Sequence, residues 1–328
     1  MKMKIHLIVS LDTECDKGDG WNTIYPLSFS NIMEGIPNQL APLWDHFEIR
    51  PTFLLSPEVI GNADCASLFR SFGRNVELGT HLHAEFIEPC CNPNALRTEA
   101  FQSDYPPDVE YAKLRNLTNM FRQTFGYSPR SFRAGRYGIS RHTLTFLEDL
   151  GYLVDSSVTP YMWWWRRRGE GVNFLGASNQ PYHPAPGDFR RPGSMKITEV
   201  PISMVNHFWD RFPRSILLRI NPIQRIQTIL INVLLKNRIR CRWVRPTFST
   251  AEEMISVTEH LVRQQRTETV VICMMFHSNE ASVGTSPYNR SAEELGAFLG
   301  RLEQYCRRLF SIYDVKPIGL SEAAELAQ

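Results

Sequence analysis

MKMKIHLIVSLDTE, residues 1–14, decides how the rest of the chain is read. After a charged start comes a short, unbroken apolar run that ends in Asp12 and Glu14. Such a run reads as a strand buried on both faces, the kind found in parallel sheets, rather than as the longer apolar core of a signal peptide. Further β-rich runs follow at 51–55, 76–80, 131–134 and 152–155, with helical spacing between them at 32–46, 65–72, 108–125 and 140–150. A strand at 197–202, a helix at 251–265, a strand at 269–276, a helix at 292–309, a strand near 316–320 and a short terminal helix complete the series. Parallel neighbours need crossover connections, so repeated strand–helix units predict a parallel sheet. About seven strands over this length predict an α/β fold, a distorted (β/α) barrel with long insertions, as one domain over 1–328.

Two regions break the rhythm. Residues 160–195, with WWWRRR at 163–168 and many Gly and Pro, read as an irregular insertion. The second, 205–246, holds nine Lys/Arg and one acid, Asp210; the remainder of the chain carries 27 basic and 33 acidic residues. The small net charge of +2 therefore hides one local cationic face, and a nucleic-acid partner is not expected. Inside that stretch Asn221-Pro222 makes a helix start, followed by Ile223, Ile226, Leu230 and Leu234 on one face. The segment reads as a peripheral contact for an anionic membrane surface, a dimerisation element, or an extra layer with solvated arginines. The apolar fraction of 43% and charged fraction of 21% fit a soluble protein with a large core, and no run approaches the about 18 apolar residues of a span. Seven scattered cysteines without a CxxC pair predict free thiols and a cytoplasmic location.

In a parallel barrel the chemistry sits at the C-terminal ends of strands. Asp12 and Glu14 end the first predicted strand, His81 and His83 the third, Arg133 the fourth, and His277 a late one. Taken singly, each has a plain alternative: a turn cap, a core histidine, a surface arginine. Together they make a donor set of carboxylate and imidazole, which suits Zn²⁺ or a similar divalent cation with places left open. A second carboxylate, Asp12, can serve as base, and His277 as acid, for hydrolysis of an amide.

The segments SLDTE (10–14), ELGTHLHAE (77–85), SFRAGRYG (131–138), VDSS (154–157), MFHSNEASVGTSPYNR (275–290) and PIGLSEAAEL (317–326) resemble, in order, those of the polysaccharide deacetylase superfamily. More narrowly they resemble its branch among lipopolysaccharide O-antigen biosynthesis proteins. The resemblance implies a metal-dependent N-deacetylase acting on a linear amide of an amino sugar. It implies Asp12 as base, Glu14 and His81 as metal ligands, Arg133 as the residue orienting the base, and His277 as acid. The family's second histidine lies four residues after the first, where this chain has Glu85. His83 is the expected replacement and a His81/Glu85 pair the alternative. Arg136 or Tyr137 would supply the oxyanion-stabilising backbone donor, and Glu280 is read as a substrate contact. Trp163 and Trp164 are read as sugar-stacking residues of a loop whose arginines could meet a nucleotide- or lipid-linked phosphate, or as a self-packed loop. Two further alternatives stay open: removal of a formyl group from a formamido sugar, and a catalytically degenerate glycan-binding barrel.

Overall fold

A computed structural model describes residues 2–89, 101–164, 171–220, 241–265 and 268–327. Eight strands form one parallel sheet: β1 (Lys4–Thr13), β2 (Thr52–Leu55), β3 (Glu77–Leu82), β4 (Ser131–Ala134), β5 (Val154–Asp155), β6 (Thr198–Glu199), β7 (Thr269–His277) and β8 (Asp314–Pro317). Seven lie on one path, β6-β5-β4-β3-β2-β1-β7, and β8 pairs with the first half of β1. The sheet curls as a distorted barrel, as the strand–helix rhythm predicts. Its two ends meet where the Ser203 N–H donates to the Cys273 carbonyl at 3.0 Å and the Cys273 N–H donates to Ser203 Oγ at 2.8 Å.

Strand β1 is central because its sequence suits burial on both faces: from Ile5 onward every residue is buried. Ser10 is one of its buried polar residues, beside His6, Asp12 and Thr13. Its hydroxyl donates to the Met274 carbonyl at 2.9 Å and accepts from Arg133, so the cost of burying it is offset. Register then aligns the ends that matter, with Asp12 opposite both His277 on β7 and Leu54 on β2. On the other side of the sheet, His81 lies opposite Arg133.

Amphipathic helices cover the outside: α1 (Ala63–Ser71), α2 (Pro107–Phe125), α3 (Thr143–Asp149), α4 (Ala251–Gln264) and α5 (Ala292–Ile312). Thr250 and Glu253 cap α4 reciprocally. A wider helix over Asn31–Leu40 packs against the turn after β7, and Gly35 permits the approach: a Cβ there would stand 3.0 Å from the Ala281 carbonyl oxygen.

The described part of the insertion is more regular than its Gly and Pro content predicts. Two antiparallel ribbons run through it, Trp163–Trp164 with Val172–Asn173 and Pro184–Ala185 with Asp188–Pro192. The basic segment leaves and rejoins the barrel at a third ribbon, Met204–Val205 with Arg242–Trp243. The predicted helix from Asn221, and Cys90, Cys91, Trp165 and Arg166 to Arg168, lie outside the described residues. The other five cysteines are free thiols. Among the described residues no helix is long and apolar enough to cross a membrane.

Candidate active site

The C-terminal strand ends open into a cleft of about 870 Å³, lined by Asp12, Glu14, His81, His83, Arg136, Tyr137, Trp164 and His277, among others. Five strand-end predictions therefore converge. The sixth, Arg133, lies just beneath.

Arg133 is wholly buried, and four of its five N–H donors are spent in fixed directions. Nη1 donates to Asp12 Oδ1 at 2.7 Å, Nη2 to Ser10 Oγ at 2.7 Å and Ser156 Oγ at 2.9 Å, and Nε to the Ser156 carbonyl at 2.8 Å. Burial alone would push the Asp12 carboxyl up. Arg133, with His81 and His277, outweighs it and holds Asp12 below the usual carboxylate range. Asp12 Oδ2 is left facing the cleft, 3.9 Å from both His81 Nε2 and His277 Nε2.

Glu14 follows two residues later on a segment locked from both sides. Asn31 donates to the Glu14 carbonyl at 3.0 Å and Asn279 to the Cys15 carbonyl at 2.7 Å. Glu14 Oε1 sits 3.1 Å from His83 Nε2 and 3.5 Å from His81 Nε2, and the three atoms form a compact donor set. Bonds of about 2.0–2.1 Å in a tetrahedron put ligands roughly 3.3 Å apart, so a Zn²⁺-like ion fits these residues. The second oxygen, Oε2, is held by the buried Lys17 Nζ at 3.2 Å, which leaves Glu14 one oxygen to offer.

Both imidazoles are oriented from behind. His81 Nδ1 lies 3.0 Å from the Arg133 carbonyl; a carbonyl only accepts, so Nδ1 donates there and Nε2 is the nitrogen turned toward Glu14. His83 Nδ1 lies 3.1 Å from Glu85 Oε1, which in turn takes Arg136 Nη2 at 2.9 Å. Glu85 thus stands behind His83, and the Glu14, His81, His83 donor set is assembled without it. Burial disfavours a charged His83, yet Glu14 and Glu85 outweigh it and push its pKa up to about 9 before any cation competes. Gly135 makes room for this ring, since a Cβ would stand 2.5 Å from the Leu82 oxygen and 3.2 Å from His83 Cδ2.

Past Gly135, Arg136 and Tyr137 both take φ of 56°, in the left-handed region that costs non-glycine residues on the order of 1–3 kcal/mol each. The double turn brings both to the cleft. The buried Tyr137 hydroxyl has no hydrogen-bond partner among the described residues, and its ring stacks on Trp164 at 5.3 Å and 19°. Trp164 lines the cleft while Trp163, beside it on the ribbon, does not.

His277 is backed by Glu280, whose Oε1 takes the His277 N–H at 3.1 Å and lies 3.2 Å from Nδ1. Glu280 is fully buried, also binds Arg245 Nη2 at 3.0 Å and the Thr247 hydroxyl, and does not line the cleft. The expectation of a substrate contact is corrected accordingly: the capping turn after β7 points this carboxylate back at His277.

Three residues escaped the sequence. Lys17 carries no signal beyond its charge. Arg245 counted as part of a surface patch, yet it is buried beneath the Phe248 ring at 4.5 Å. Trp21, in the short DGWN, covers His277 with ring centroids 4.5 Å apart and donates to the Tyr288 hydroxyl at 3.2 Å.

A scan against models of known protein families gives no match, nor does a search of curated proteins. Solved structures of the same fold do match. One, assigned to the polysaccharide deacetylases and from Mycobacterium smegmatis, has a TM-score of 0.53 and 17% identity over 99% of this chain and 90% of that chain. Puue allantoinase has a TM-score of 0.53 and 11% identity over 98% and 89%. The α-amylase AmyC from Thermotoga maritima has 0.51 and 11% over 100% and 75%. At these identities the likeness is one of fold, and three differently named activities share it, so function has to be argued from the site.

Proposed function

We propose that this chain is a metal-dependent hydrolase that removes an N-acyl group, acetyl in the first instance, from an amino sugar. The observation that carries the reading is the Arg133-held carboxylate of Asp12, set beside the Glu14, His81, His83 donor set and across from His277 Nε2 at 3.9 Å. The segments that resemble polysaccharide deacetylases, and a solved structure of that assignment among the fold neighbours, support it.

Glu14 Oε1 and the Nε2 atoms of His81 and His83 would hold the ion. When bound, such an ion supplies Lewis acidity toward an amide oxygen and makes a neighbouring water more acidic. Asp12 is the base: Arg133 keeps it ionised, so Oδ2 is ready to take a proton from water. His277, with Nδ1 turned to Glu280, presents Nε2 to protonate the departing amine. Arg136 and Tyr137 close the side where the amide oxygen would lie. Trp21, Trp164, Trp243 and Phe248 give the cleft flat apolar faces of the kind on which sugar rings stack.

Surface polysaccharide (O-antigen) assembly on the cytoplasmic side is the setting we propose. The substrate would be a nucleotide- or lipid-linked sugar, with the basic segment 205–246 touching the inner membrane face. Arg242 and Arg245 of that segment reach the cleft, so part of its charge serves the site itself. The chain is proposed to act as one barrel unit with 160–195 and 205–246 as accessories. Incubating metal-loaded protein with N-acetyl and N-formyl amino sugars, free and nucleotide-linked, should release acetate. Formate alone would move the reading to a deformylase, and release of neither with metal bound would count against an enzyme.

A further inference from the structure

We propose a second divalent-metal site, formed by His207, Asp210 and His260, distinct from the cleft and built where the basic segment meets helix α4. One nitrogen of each histidine and one oxygen of Asp210 all lie within 4.8 Å of one another. His260 Nε2 stands 3.0 Å from Asp210 Oδ2, and the two imidazole rings approach at 5.0 Å and 74°. Two imidazoles and one carboxylate form the donor set of a borderline ion such as Zn²⁺ or Co²⁺, with a fourth place for water.

The surroundings are those of an oriented site. Asp210 is the one acid in 205–246, and its ion pair among the described residues is with His260. Its other oxygen, Oδ1, accepts from the Tyr161 hydroxyl at 2.5 Å, which fixes the plane of the carboxylate. The turn that carries His207 and Asp210 is pinned by Asn206 Oδ1, which takes the N–H groups of Phe208 and Trp209 at 3.1 and 3.2 Å. His260 comes from the last turns of the capped helix α4, so its backbone is fixed independently. Asp210 thus has both oxygens directed: one toward the two histidines, one toward Tyr161.

That second link gives the site a consequence. Tyr161 has φ of 67°, an uncommon conformation for an aromatic residue, and its hydroxyl also takes the Asn179 amide at 2.7 Å. The next residues, Met162 and Trp164, line the cleft, and Trp164 stacks on Tyr137. An ion on His207, Asp210 and His260 fastens the basic excursion to α4 and, through Asp210 and Tyr161, holds the aromatic wall of the cleft in place.

Tag-free full-length protein, stripped with a chelator and titrated with Zn²⁺, should bind two equivalents by elemental analysis. His207→Ala and His260→Gln should each bind one, and so should His81→Ala. In hydrogen exchange, Zn²⁺ should slow the amides of 161–164 in the wild type and in His81→Ala but not in His207→Ala. His207 is exposed, so its replacement leaves the fold intact, and circular dichroism checks this. Two equivalents retained in His207→Ala would overturn the proposal. So would a single wild-type equivalent lost in His81→Ala and kept in His207→Ala. A single equivalent lost only in His207→Ala would uphold it and instead sink the metal reading of the cleft.

Discussion

The two sides of the cleft are built by different means. The carboxylate–histidine corner, Asp12, Glu14, His81, His83 and Arg133, comes from the ends of β1, β3 and β4 and the residues just past them, with β2 holding β1 and β3 in register between them. The opposite wall, Lys17, Trp21, Arg245, Phe248 and Tyr288, comes from loops and from the return of the basic excursion. Yet the same arrangement recurs on both sides: four buried carboxylates of the site each have a cation beside them. Arg133 serves Asp12, Lys17 serves Glu14, Arg136 serves Glu85 and Arg245 serves Glu280. An unpaired buried charge would be costly, so the loops that bring the cations are as necessary to the site as the strands that bring the acids.

The comparison can be broken most sharply at the corner. Asp12→Asn should keep bound metal and fold while kcat falls on the order of 10²–10⁴, the usual contribution of a general base, with little change in KM. Arg133→Ala should cost about 3–5 kcal/mol in urea unfolding, because it strands the Asp12 carboxylate in the interior. If both variants behave like wild type, the corner is a folding device only.

Glu85→Gln separates the orienting role from a ligand role. Loss of a partner behind His83 should weaken metal binding about 10–100-fold without abolishing it. Complete loss, matching Glu14→Gln, would make Glu85 a ligand. On the wall, Trp21→Ala should cost about 0.5–1.5 kcal/mol in transition-state stabilisation, the worth of an aromatic contact, which is up to roughly tenfold in kcat/KM.

The smallest effect concerns acid stability. Burial alone would raise the Glu280 carboxyl, but Arg245, His277 and Thr247 outweigh it and hold the pKa at about 2, against 4.5 ordinarily. A depressed folded pKa contributes stability that is fully present above the unfolded value and is lost as pH falls toward the folded one. The urea midpoint difference between wild type and Glu280→Gln should therefore be largest above pH 4.5 and shrink toward pH 2. A constant difference would show that packing, not ionisation, is what Glu280 provides.

What could be read from residues alone tracks the same division. The strands that carry the site, β1, β3 and β7, were legible because a buried run ending in titratable residues has one good explanation in a parallel sheet. The placement of Asp12, His81 and His277 at one mouth then followed from topology. Trp21 was not legible, because DGWN has no periodicity and its role depends on a loop folding back over β7. Arg245 was hidden among the other basic residues of 205–246, where charge counting treats a buried ion pair and a solvated side chain alike. Glu280 was placed near the chemistry by sequence but on the wrong face, because only the capping turn after β7 shows which way the carboxylate points.

The central claim is that the strand-end corner holds the catalytic ion. Anomalous diffraction at the zinc edge, from crystals grown with Zn²⁺, tests it most directly. The account predicts a peak within bonding distance, about 2.0–2.2 Å, of Glu14 Oε1, His81 Nε2 and His83 Nε2, with Glu85 still hydrogen-bonded to His83. A corner without a peak, or an ion bound through Glu85 with His83 turned away, would contradict it.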